Sequence, residues 1–110
     1  MALQDGIYLV RFSTPLGEGS GVTYLTEGKL YGGDSMMAYV GKFSEKGGSA
    51  NAEVRVFQHS NTPGMESVLG TNSATLKLSG DVSGSTANLS GSAPQAPGVQ
   101  LSVSLSPLSE

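Results

Sequence analysis

The sequence predicts a small all-β domain: an up-and-down antiparallel β-barrel of about eight strands. Three observations predict it. The chain is rich in residues that serve turns and weaken helices, with 16 Gly among 110 residues and Ser and Thr throughout. Short apolar or alternating runs recur at regular spacing, with turn signals between them. Consecutive runs are joined by hairpin-like connections, and closing such a meander removes its exposed edges. The length suits one domain, residues 1–110, and no linker or internal repeat divides it.

The first strand, Asp5 to Phe12, is the strongest. Asp5-Gly6 supplies a turn, and Ile7-Tyr8-Leu9-Val10-Arg11-Phe12 follow without a break. Side chains alternate along a strand, so Ile7, Leu9 and Arg11 face one way and Tyr8, Val10 and Phe12 the other. A strand apolar on both faces expects cover on both, so Tyr8, Val10 and Phe12 serve either the core or a dimer interface. Pro15 ends this strand. Gly17, Gly19 and Gly21 lead into a second strand that firms up over Val22–Thr26. Glycines so spaced predict a bend, a bulge or a close backbone approach. Glu27-Gly28 is a hairpin signal, followed by a short strand, Lys29-Leu30-Tyr31, and the turn Gly32-Gly33-Asp34.

The fourth strand, Met36 to Ser44, sets Met37, Tyr39 and Phe43 against Met36, Ala38 and Val40. Glu45-Lys46-Gly47-Gly48-Ser49 reads as an exposed polar turn. In the fifth strand, Ala52 to His59, Ala52, Val54 and Val56 face in and Glu53, Arg55, Phe57 and His59 face out. Asn61-Thr62-Pro63-Gly64 breaks the pattern. Met65 to Leu69 is the one helical candidate, a turn at most, with Gly70 as its cap. Three further strands follow: Ala74 to Val82, Thr86 to Ala93 and Val99 to Leu105. The last has Val99, Leu101, Val103 and Leu105 inward.

Composition excludes several function classes. No Cys is present, which removes disulfide, thiol-nucleophile, Cys-zinc and iron–sulfur chemistry. Net charge is −3 and the six Lys and Arg are scattered, so a nucleic-acid-tracking surface is not expected. No run approaches the ~20 apolar residues of a membrane helix. The start, Met1-Ala2-Leu3-Gln4-Asp5, has neither a basic n-region nor an apolar h-region, so the expected location is the cytoplasm.

Each candidate site competes with a plainer role. His59 is the sole imidazole; a metal site needs several such ligands, so His59 is expected to be a surface or rim residue. Ser is abundant, but none lies in a Gly-x-Ser-x-Gly elbow before a helix. Glu18 and Asp34 would form an acid/base pair if one cleft held both; otherwise they serve local turns. Gly17-Glu18-Gly19-Ser20-Gly21 lacks the Lys-Ser/Thr ending of a phosphate loop. Asn88-Leu89-Ser90 fits a glycosylation acceptor, relevant only on a secretory route. Met36, Met37 and Tyr39 form either core or an adaptable apolar surface. No catalytic residue, cofactor or metal is expected from these patterns; an enzyme would need a convergent polar site, which the sequence does not show.

Asp5-Gly6-Ile7-Tyr8, Phe12, Gly17-Glu18-Gly19, Gly32-Gly33-Asp34, Tyr39-Val40-Gly41 and Ser44-Glu45, taken in order, resemble the GrlR-type family. These are negative regulators of type III secretion in enteric bacteria. The resemblance covers residues 5 to 57; beyond that only the strand pattern matches. It implies a calycin-like, lipocalin-like barrel that forms a homodimer and sequesters a transcriptional activator. The family's acidic loop after the strand that here ends at Ser44 is reduced to Glu45, because Lys46-Gly47-Gly48 follow. Glu45 is the one partner-binding position the resemblance carries over.

Two functions therefore stand at this level. One is a non-enzymatic, bacterial regulatory protein that represses by protein–protein binding. The other is a barrel that carries a small hydrophobic, lipid-like ligand. Interior size separates them: Tyr8, Tyr24, Phe43 and Phe57 would fill the barrel if they all pointed inward.

Overall fold

The computed structural model describes residues 3–60, 73–94 and 98–108. Eight antiparallel strands follow one another around a closed barrel: β1 (Gly6–Thr14), β2 (Gly17–Thr26), β3 (Lys29–Gly33), β4 (Met37–Lys46), β5 (Ser49–Gln58), β6 (Ser73–Ser83), β7 (Thr86–Ser92) and β8 (Leu101–Pro107). β1 pairs with both β2 and β8, which closes the ring. The predicted all-β barrel is thus present. Among the described residues there is no helix; the Met65 to Leu69 candidate lies outside them.

The strands are longer than their apolar runs. β2 starts at Gly17, five residues before Val22, because β1 offers a continuous partner from Thr14 back to Gly6. The polar stretch after Ser44 is mostly strand: Glu45 pairs with Ala50 and Lys46 with Ser49, leaving Gly47-Gly48 as the turn. Both glycines have positive φ, 60° and 85°, which a two-residue hairpin with the sheet's own twist requires. Glu27-Gly28 makes the same kind of turn, with Glu27 at φ 50°. β8 begins at Leu101; Val99 stops short of it but packs against the core.

The inner face forms one cluster. Tyr8, Val10, Leu25, Leu30, Met37, Tyr39 and Phe43 come from β1–β4. Ala50, Ala52, Val54, Val56, Ala74, Leu76, Leu78, Ala87, Leu89, Leu101, Val103 and Leu105 come from β5–β8. Thr23 is fully buried among them and donates its hydroxyl to Tyr31 O at 3.2 Å.

The two ends differ. At one end lie the tight turns 27–28, 47–48 and 84–85. Phe43 N donates to Gly28 O and Val82 N to Gly48 O, each at 2.8 Å, so these turns are tied to their neighbours. The segment before β1 crosses this end: Leu3 N donates to Glu45 Oε1 at 2.8 Å, and Tyr8 Oη donates to Gln4 O at 2.6 Å. At the opposite end lie Pro15-Leu16 and the β3–β4 loop, residues 34–36. That end carries the polar groups of interest.

Candidate functional site

Asp34 organises the end that carries the β3–β4 loop. Its Oδ1 accepts hydrogen bonds from Met36 N at 2.8 Å and Met37 N at 2.7 Å. Short loops favour Asp here because its carboxylate replaces missing backbone acceptors. Its Oδ2 accepts the hydroxyl hydrogen of Tyr39. His59, one residue past β5, closes the same loop from the other side. His59 N donates to Met36 O at 2.9 Å, and His59 Nε2 lies 2.8 Å from Asp34 O. A carbonyl only accepts, so Nε2 carries the hydrogen. Nδ1 is then free to accept from Ser60 Oγ, 2.6 Å away.

Tyr39 reaches this loop because β2 leaves room for it. A Cβ on Gly21 would sit 2.7 Å from Tyr39 Oη, and one on Gly19 would sit 2.6 Å from the Phe12 ring. The spaced glycines of β2 therefore answer to close approach, here by aromatic side chains. Phe12 and Tyr39 meet edge to face, with centroids 6.2 Å apart and planes at 86°. Burial, the hydrogen bond to Asp34 and the Asp34 charge together hold the Tyr39 phenol well above its ordinary pKa. It is a neutral donor under any physiological condition. Burial, reinforced by Asp5, also pushes the Tyr8 phenol up.

Beneath the loop lies a cavity of about 200 Å³. Its walls are apolar, from Val10, Leu30, Val54, Val56, Leu76, Leu78, Leu89, Leu101, Val103 and Leu105 among others. Glu18, Ser20, Asp34 and Ser35 line it at the mouth. Glu18 and Asp34 thus border one opening, as an acid/base pair would require. The Asp34 carboxylate, however, is already accepting from two backbone amides and one phenol. Among the described residues, no three His, Cys, Asp or Glu side chains cluster as metal ligands would.

A second candidate lies on the outer wall. Ile7 pairs with Tyr24, Tyr24 with Tyr31, and Tyr31 with Val40, so four outward side chains form one row across β1–β4. All four are exposed, between 42% and 48%. A parallel row runs Leu9, Val22, Gly33, Ala38, Phe57. The first row ends at Arg55, which pairs with Val40 and lies over the Phe57 ring at 4.7 Å. On the next row, toward the tight turns, Lys29 and Lys42 pair directly.

The predicted site residues fall as follows. Tyr8 and Val10 are buried and Phe12 half-buried, all facing the interior; the exposed face of the first strand is that of Ile7. Glu45 is half-buried at the end that carries the tight turns and accepts from Leu3 N. Of the four aromatics that would fill the barrel, Tyr8 and Phe43 point in, whereas Tyr24 is exposed and Phe57 faces out. Met36, Met37 and Tyr39 are buried. The Tyr39–Asp34 pair and the outer rows were not singled out by sequence reasoning. The signal for the rows was period-two spacing through Val22-Tyr24 and Tyr31, on strands whose faces the sequence left unassigned.

No protein-family model matches the chain, and no curated protein shows significant similarity to it.

Proposed function

We propose that this chain is a non-enzymatic regulatory protein that acts by protein–protein binding and works as a homodimer joined through the outer face of β1–β4. One observation carries the reading: a cross-strand row of four exposed apolar side chains, Ile7, Tyr24, Tyr31 and Val40, stands beside a second row in which Val22 is also exposed, on one continuous wall. Single exposed apolar residues are ordinary, but a contiguous patch marks an association surface. The row Ile7–Tyr24–Tyr31–Val40 contains no charge, so a second copy meets it without like-charge repulsion. Two twisted sheets pack face to face by interdigitating such rows. Tyrosines suit this role, since they bring large contact area at low entropic cost.

The resemblance of residues 5 to 57 to negative regulators of type III secretion points to a transcriptional activator as the further partner. The hydrogen bond from Leu3 to Glu45 favours a binding surface elsewhere than Glu45. Native mass spectrometry of protein purified from its host tests the reading. A dimer, with or without a second polypeptide, is the expected result. A monomer at micromolar concentration overturns it.

A further inference from the structure

The cavity has no part in the outer-face reading, and its chemistry is specific. We propose that the barrel interior is a binding site for a compact, neutral, mostly apolar molecule carrying one O–H or N–H group, with the size and chemistry of an alkylphenol or indole. Size comes first. An apolar cavity of ~150 Å³ stays dry and takes up benzene. The cavity here, about 200 Å³, accommodates one substituted or fused ring but not a long acyl chain. The wall then sets the polarity. Leu76, Leu78 and Leu101 line it, so a ring gains contacts that water does not supply.

The polar atoms set the head group. Tyr39 lines the cavity, and its hydroxyl hydrogen is already given to Asp34. An occupant that reaches the Tyr39 oxygen therefore meets only its lone pairs, and satisfies them by donating. Among the described residues no Lys, Arg or His lines the cavity, while Glu18 and Asp34 stand at its mouth. Carboxylate ligands such as fatty acids meet two acids and no cation, which disfavours them. The site thus differs in kind from a carrier for anionic lipids.

The test uses the wild-type chain and three probes of one shape: p-cresol, p-xylene and p-toluate. Calorimetry should show saturable binding of one p-cresol per chain. p-Xylene should bind about 2- to 10-fold more weakly, the worth of one hydrogen bond. p-Toluate should not bind. Methyl NMR should place the p-cresol perturbations on Leu76, Leu78 and Leu101. Absence of saturable p-cresol binding overturns the proposal, as does p-toluate binding as well as p-cresol. Equal affinity for p-cresol and p-xylene overturns the donor requirement. Perturbations confined to Ile7, Val22 and Val40 would move the ligand to the outer face and overturn the site. Tyr39→Phe should bring the p-cresol to p-xylene ratio close to one, and an unchanged ratio refutes the role of its oxygen. If that variant does not fold, the wild-type probe ratios and the methyl map decide. These readouts are independent of subunit number, so their failure leaves the dimer reading standing, and the reverse holds.

Discussion

The two halves of the barrel wall are built on opposite plans. β1–β4 put bulk inside, with Tyr8, Phe12, Leu25, Met37, Tyr39 and Phe43, and also leave apolar groups outside, with Ile7, Val22, Tyr24, Tyr31 and Val40. β5–β7 put smaller groups inside, with Ala50, Ala52, Ala74 and Ala87. Outside, β6–β8 carry Lys77, Ser79, Asp81, Asn88, Ser90, Ser102 and Ser104. Large groups set against small ones across a narrow barrel leave the interior cavity between them. The outer contrast has no such geometric cause, because both walls pair equally well with their neighbours. A wall that needs nothing but water can be all Ser and Asn. The proposed partner surface accounts for the apolar outer wall, which a general tolerance of exposed apolar residues would not confine to one half.

The largest effect should come from the bulky inner wall. Tyr39→Ala removes a buried ring, its edge contact with Phe12 and the partner of Asp34. Urea unfolding should show a loss of about 3–5 kcal/mol. Tyr24→Ala, on the same half but outside, should cost a monomer no more than about 1 kcal/mol, from cross-strand pairing alone. Equal losses at the two tyrosines would mean that inside and outside are not distinct on this half.

The next effect breaks the outer comparison directly. Tyr31→Lys puts a charge in the middle of the apolar row, whereas Ser90→Lys puts one on the polar wall. Sedimentation or light scattering should show Tyr31→Lys weakening self-association by at least tenfold, about 1.4 kcal/mol. Ser90→Lys should leave association unchanged. The opposite pattern would assign the interface to β6–β8.

Much of this architecture was legible in the sequence because period-two alternation and turn chemistry are local. The inward set of β5 and the two-residue turn at Glu27-Gly28 needed only neighbouring residues. Strand ends were less legible, since β2 and β4 extend into Gly- and Lys-containing stretches only because a partner strand runs alongside them. The site was least legible. Asp34 and Tyr39 are five residues apart, but their contact depends on Gly21, and the loop's closure on His59. Those are long-range placements that no local pattern encodes. The face of Tyr24 likewise depended on register, where a shift of one residue exchanges inside for outside.

A smaller, pH-dependent effect tests the inner wall again. The Tyr39 phenol is raised in the fold, so the unfolded chain ionises first as pH rises past about 10. The unfolded state then binds fewer protons than the native state, and stability falls with rising pH. The contribution is complete below pH ~10 and is lost progressively toward the folded-state pKa. Each such group gives a slope of up to about 1.4 kcal/mol per pH unit. Tyr8, also raised, adds to the wild-type slope. Tyr39→Phe should flatten it without abolishing it. A slope unchanged by this variant would mean that the unfolded phenol gains nothing over the buried one.

The smallest expected effect lies at the seam between the two plans. Arg55 pairs with Val40 at the end of the apolar row and covers the Phe57 ring. An exposed cation over a ring contributes about 0.5–1 kcal/mol. Arg55→Ala should cost the monomer that much, and a cycle with Phe57→Ala should recover most of it as coupling between the pair. The same substitution uncovers Phe57 and lengthens the apolar row by one strand, so self-association should strengthen slightly while the monomer weakens. Opposite signs in the two measurements are the signature of a residue that bounds an interface. If both weaken, Arg55 belongs to the contact itself, and the interface extends onto β5.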